Sequence, residues 1–170
     1  MSDRVRRIVT GHDAQGRSVV VSDTVAPMEG RLHEIWMTTA MPAPYGGAPN
    51  LGPLPKDLEP PKHGTIVRFV RFDPAQQISR EELEQRTAER FAAMNASHCR
   101  VDTQRHPGMH KTTSVDYGIV LSGKITLLLD EGERDLQAFD VVIQRGTNHA
   151  WVNKTSEPAL MCFVLIDGTE

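Results

Sequence analysis

The last third of the chain is a series of short extended segments, and it limits the fold more than any other feature. Tyr117–Leu121 is stopped by Ser122-Gly123. Lys124–Leu129 follows, with Ile125, Leu127 and Leu129 on one side. Asp130-Glu131-Gly132-Glu133 reads as a hairpin turn. Arg134–Gln137, Val141–Gln144 and His149–Val152 come next, and Ala159–Ile166 is a nearly continuous apolar run of the kind a buried strand shows. Strands this short, with turn signals every eight to twelve residues, predict an all-β sandwich or small barrel. Three of the seven histidines bracket the series: His106 and His110 before it, His149 near its end. A fold that brings these ends together gathers imidazoles in one interior pocket.

The first hundred residues are more mixed. Residues 4–10 and 17–22 read as strands joined by a Gly-His-Asp-Ala-Gln-Gly turn, which leaves His12 in solvent. In a strand over 31–38, Leu32, Glu34 and Trp36 share one face and His33, Ile35 and Met37 the other. Neither face is cleanly apolar, and His33 is expected at a cross-strand or surface position. Residues 41–64 hold seven prolines and four glycines, so no regular element survives there. This proline-rich arm is expected to serve function or to pack across a partner. Residues 65–72 return to strand character. Ser79-Arg80-Glu81-Glu82 fits a capping box, and the helix it starts, over about 80–94, carries Leu83, Thr87, Phe91 and Met94 along one side as a packing face. Residues 1–100 are therefore expected to pack on a barrel of residues 101–170 within one structural domain.

The 170 residues suffice for one core. With 22 acidic and 19 basic residues the net charge is −3, and no basic block stands out beyond Arg4, Arg6 and Arg7, which argues against a nucleic-acid partner. No run of eighteen apolar residues predicts a membrane span, and the N-terminal stretch shows no signal-peptide core, so the expected location is cytoplasmic. Cys99 and Cys162 lie far apart, and free thiols are expected.

Two stretches resemble the paired motifs of the cupin superfamily. Asp116-Tyr117-Gly118-Ile119-Val120-Leu121-Ser122-Gly123 matches the end of the first motif, with aspartate where glutamate is usual. The usual His-x-His pair is replaced by His106-Pro107-Gly108-Met109-His110. The second motif keeps Gly146-Thr147-Asn148-His149-Ala150-Trp151-Val152-Asn153, with Phe139 in place of a glycine and Gln144 in place of a proline. The resemblance covers residues 106–166. It implies a double-stranded β-helix (jelly-roll) barrel and a homodimer. It also implies a divalent metal (Fe, Mn, Ni, Zn or Cu) held by His110, Asp116, His149 and a fourth contact from His106. His110 and His149 are the expected catalytic residues. Trp151, which shares a strand face with His149, is an expected substrate wall, with Tyr117 and Met109 as further lining. Asn153 is expected to hold a strand end.

Two functions follow. One is an enzyme acting on a carbonyl-bearing, aromatic or polyketide-like small molecule by metal-assisted lyase, decarboxylase, isomerase or dioxygenase chemistry. The other is a metal-free barrel that binds or senses a small molecule, with His110 and His149 as hydrogen-bonding pocket residues and Asp116 orienting a histidine.

Overall fold

A computed structural model describes residues 4–26 and 28–170. Its elements are β1 (Val5–His12), β2 (Ser18–Ala26), β3 (Leu32–Thr38), β4 (Thr65–Phe72), α1 (Arg80–Ala93), a 3-10 turn (Ser97–Cys99), β5 (Ser114–Ser122), β6 (Lys124–Leu129), β7 (Glu133–Gln137), β8 (Val141–Arg145), β9 (His149–Val152) and β10 (Ala159–Asp167). Every strand expected from the sequence is present, with β5 starting three residues earlier than Tyr117.

Three sheets form, all from antiparallel pairs: β3-β4-β10-β5-β8, β7-β6-β9, and the hairpin β1-β2. The two larger sheets share one core. Ile66 and Val70 of β4, Val120 of β5, and Met161, Phe163 and Leu165 of β10 meet Ile125 of β6 there, with Leu136 of β7 packed against them. This is the all-β jelly-roll barrel that the motifs imply. Period-two alternation explains the burial along β4, β5 and β10, where every second residue points inward. Cys162 falls in the outward phase of β10 and is half-buried; both thiols are free. Gly123 makes the turn into β6 at φ +76°, where a Cβ would stand 2.5 Å from the Pro158 carbonyl oxygen.

The N-terminal strands β3 and β4 belong to the barrel's larger sheet. Strict alternation fails in β3. A bulge between Glu34 and Trp36 leaves Ile35 without a partner, so Leu32 pairs with Val70, Glu34 with Arg68 and Met37 with Ile66. Leu32 and Met37 thus both reach the core, although their spacing places them on opposite faces of a regular strand. His33 is 3% exposed, deeper than expected, and its Nδ1 lies 3.1 Å from the Ala26 carbonyl oxygen.

Helix α1 starts as predicted. Ser79 accepts from the Glu82 backbone N–H at 3.1 Å, while the Glu82 carboxylate takes Arg86 at 2.5 Å. Thr87 and Phe91 are its buried side chains. The arm divides in two. Residues 41–48 are exposed, with Tyr45 at 99%. Residues 57–61 pack on their own chain, where Leu58 meets Phe91, Ala96 and Cys99.

Candidate functional site

A cavity of about 650 Å³ lies between the barrel and α1. Its volume is in the range of small-molecule sites. His106, His110, Asp116, His149 and Trp151 line it from the barrel side; Leu83, Thr87, Arg90, Phe91 and Met94 line it from the helix.

His110 and His149 form its centre. Their backbones make an isolated antiparallel bridge with two N–H···O bonds of 2.9 Å, and their rings lie 4.3 Å apart. His110 Nδ1 is 2.9 Å from the Gly108 carbonyl oxygen, and His149 Nδ1 is 2.9 Å from that of Thr147. A carbonyl only accepts, so each neutral ring carries its proton on Nδ1 and keeps an Nε2 lone pair. Burial pushes the basicity of both rings down. His149 falls to about 3, with the charge of His110 as the next cause. The edges of Phe91 and Trp151 close on the pair, 5.0 Å from His110 and 5.7 Å from His149.

Asp116, on β5, is 5% exposed and its Oδ1 has no hydrogen-bond partner. Burial raises its carboxyl to about 6, against the opposing effects of Ser114 and Arg68. His106 has the opposite tautomer to the central pair. Its Nδ1 accepts from the Gly108 N–H at 2.9 Å, which places the proton of the neutral ring on Nε2. Burial, Arg80 and Arg90 lower its basicity.

The remaining expected residues divide. Trp151 lines the cavity, and Gly118 makes room for it: a Cβ there would come within 3.4 Å of the indole and 3.2 Å of Phe163. Tyr117 is not a lining residue. It is 40% exposed and pairs with Val164 and Ile143, because an inward Asp116 sends its neighbour outward. Met109 is 1% exposed in a separate cluster with Leu128 and Ala150, on the opposite side of its segment from His110. Asn153 holds the strand end as expected, donating to the carbonyls of Phe72 at 2.9 Å and Glu157 at 2.7 Å. Phe139, at the motif's glycine position, keeps the left-handed backbone at φ +75° and is 87% exposed. That conformation costs a non-glycine residue about 1–2 kcal/mol.

Sequence reasoning missed the helix side of the cavity and its arginines. Arg68 left a signal: it interrupts the apolar inward phase Ile66-Val70 of β4. It is 2% exposed, 3.1 Å from Glu34, and donates to the Asp57 carbonyl at 2.5 Å. Arg31 and Arg90 left none, because nothing local marks them as neighbours.

Two imidazoles with fixed Nδ1–H bonds and free Nε2 lone pairs, together with the unpartnered Asp116 oxygen, are donor types that suit a divalent metal, but the three donor atoms do not all lie within 4.8 Å of one another. His106 fits less well as a fourth, since its Nδ1 is engaged and its Nε2 protonated. Among the described residues, the donor atoms that gather within 4.8 Å of one another are those of Glu59, His98 and Cys99. These lie apart from the cavity lining, and Glu59 already accepts from the Thr113 N–H and hydroxyl and pairs with His98, each at 2.8 Å.

A jelly-roll barrel with a histidine pair at its inner wall is the cupin arrangement. Residues 97–166 match the family profile described as a cupin domain. Oryzines biosynthesis cluster protein J of Aspergillus oryzae is 45% identical over 163 residues, covering 88% of this chain and 75% of that protein. Phomopsin biosynthesis cluster protein C' of Diaporthe leptostromiformis is 31% identical, covering 88% and 70%. A cupin-domain-containing oxidoreductase of Aspergillus ruber is 29% identical, covering 96% and 73%. A solved protein with a double-stranded β-helix domain from Klebsiella pneumoniae aligns at 16% identity and a TM-score of 0.45, covering 84% and 83%. The chain belongs to the cupin family. Among the described residues, no helix is long and apolar enough to cross a membrane.

Proposed function

We propose that the protein is a small-molecule enzyme whose reaction centre is the His110–His149 pair. The observation that carries this is the pair itself: two neutral rings, locked by Nδ1–H bonds, with their Nε2 atoms available in a cavity of ligand size. His110, His149 and Asp116 would hold a divalent metal. When bound, such a metal polarises a carbonyl, enol or carboxylate oxygen and, if redox-active, supports oxygenase chemistry. The residues themselves do the rest. His106 presents an Nε2–H that donates to a substrate oxygen. In the metal-free site the Asp116 carboxyl, pushed up to about 6 by burial, can take or return a proton; with a metal bound it stays ionised as a ligand. Trp151 and Phe91 exclude water from the pair. The names of the relatives, which include oxidoreductases and biosynthesis-cluster proteins, support an oxidative reaction on a biosynthetic intermediate.

A homodimer is part of the same reading. The β1-β2 hairpin pairs with no other described strand and leaves Ile8, Val20 and Val25 exposed. Light scattering that returns a monomer mass at every concentration would remove it.

The test is metal content and turnover in untagged protein, before and after loading with iron, manganese, nickel or zinc. A stoichiometric metal that His149→Ala and His110→Ala both lose is expected. Loss of the pair should cost roughly 10²–10⁴ in rate. A protein that takes up no metal, and whose ligand binding ignores both substitutions, would return the site to a plain binding barrel.

A further inference from the structure

Ion pairing accounts for most of the charge on the cavity wall. Lys56 is paired with Glu29, Arg68 with Glu34, and Arg86 with Glu82. Asp73 takes Arg71 at 2.8 Å. Of the charges that remain, Asp116 stands with the histidines and feels Arg68, and Arg31 and Arg90 are left over. Both line the cavity, and among the described residues neither side chain has a hydrogen bond or an ion-pair partner. They come from different elements: Arg31 precedes β3, and Arg90 is in the last turn of α1. Desolvation and the charge of Arg31 pull Arg90 down to about 10, so the two guanidinium groups feel each other.

Each arginine has a local explanation. Arg31 lies 5.7 Å over the Phe72 ring, and a cation suits a helix C-terminus. Neither explanation gives Arg90, which is exposed on the cavity side of the helix, an acidic neighbour: the charge acting on it is that of Arg31, and the acid acting on Arg31, Asp73, is already held by Arg71 at 2.8 Å. That arrangement works against the empty protein, and a bound anion reverses the sign.

The wall beyond them is aromatic and continuous. Phe72 contacts Phe163 at 6.4 Å, Phe163 contacts Trp151 at 5.5 Å, and Trp151 contacts His149 at 5.7 Å. A line of rings therefore joins the arginine end to the histidine pair.

We propose that the cavity selects organic acids: Arg31 and Arg90 clamp a carboxylate, and an aromatic or conjugated body lies along Phe72, Phe163 and Trp151 with its far end at His110 and His149. This names the substrate class for the reading above and rests on it for the reacting end. Planar guanidinium forks match a carboxylate in a way a neutral amide cannot reproduce.

The test uses metal-free protein and a matched pair of probes, 3-(2-naphthyl)propionate and its primary amide. Binding is followed by calorimetry and by the arginine Nε and tryptophan signals in ¹⁵N spectra. The acid is expected to bind about tenfold or more tightly than the amide, as loss of a charge-assisted contact implies. Arg31 and Arg90 signals should move with the acid. Arg90→Gln, and more fully Arg31→Gln with Arg90→Gln, should bring the acid to the amide's affinity and leave the amide unchanged, which also shows that the pocket is folded. Equal affinity of acid and amide in the unsubstituted protein, absence of binding by either, or acid binding indifferent to both substitutions would overturn the proposal. His149→Ala should keep the preference for acid over amide whatever it does to the affinity of both, so failure of the histidine centre and failure of the clamp give different results.

Discussion

The cavity has two walls, built by different means. The histidine wall is fixed by backbone: His110 and His149 are tied by a reciprocal bridge, and Asp116 sits in a central strand paired on both sides. The helix wall is docked by side chains. Of the residues of α1, Thr87 and Phe91 are buried, and Phe91 is the one that reaches a histidine. The first wall holds groups in set positions, as chemistry needs. The second lies against the barrel through a small contact. On the proposed reading, the backbone-fixed end is the chemical one and the side-chain-docked end is the binding one.

The largest expected effect tests whether the helix wall separates from the histidine wall. Phe91→Ala should lose about 3–5 kcal/mol, as truncation of a buried aromatic does. Hydrogen exchange should then show the amides of α1 opening well before those of β5 and β10. Equal loss of protection in sheet and helix would mean that the walls form one unit.

A second prediction probes the histidine wall alone. Asp116 has a carboxyl raised to about 6 from an ordinary value near 3.8, so its protonated form favours the fold. That contribution is complete below about pH 4 and lost as pH rises through 6. Ionised at pH 7, it opposes folding by about 3 kcal/mol. Asp116→Asn should therefore raise stability at pH 7 in urea titrations. His149 acts in the other direction. Its basicity falls from 6.5 to about 3, so its contribution is present above pH 6.5 and lost as pH falls toward 3. The two slopes oppose each other between about pH 4 and 6. Removing Asp116 should steepen acid unfolding there by about 1.4 kcal/mol per pH unit. An unchanged acid limb would show that Asp116 does not titrate as a buried group.

The smallest effect concerns how the helix begins. Ser79→Ala should cost about 1 kcal/mol through loss of the cap. It should speed exchange in the first turn of α1 while the histidine bridge keeps its protection.

The histidine wall was legible in the sequence and the helix wall was not, and the reason is periodicity. The resemblance of Asp116–Gly123 and Gly146–Asn153 to the paired motifs points to His110, Asp116 and His149, and strand alternation adds Trp151, because backbone ladders turn local spacing into position. The same rule corrects Tyr117, since consecutive residues of a strand cannot share a face. The tautomer of His106 depends on the turn that brings the Gly108 N–H to its ring, which no spacing encodes. Arg31 and Arg90 meet through tertiary docking of α1 on the barrel. Their sequence neighbourhoods, a strand entrance and an exposed helix turn, are unremarkable alone.

The unpaired Ile35 in β3 has a further meaning. A regular strand offers one inward set of residues, and here two sets are wanted: Glu34, which answers Arg68 beside the cavity, and Met37, which fills the core beside Ile66. The extra residue lets the strand change phase between them. A one-residue deletion at this point would do more damage than most substitutions, because everything after it would turn inside out relative to what comes before. The join between site and scaffold in this protein is a change of register.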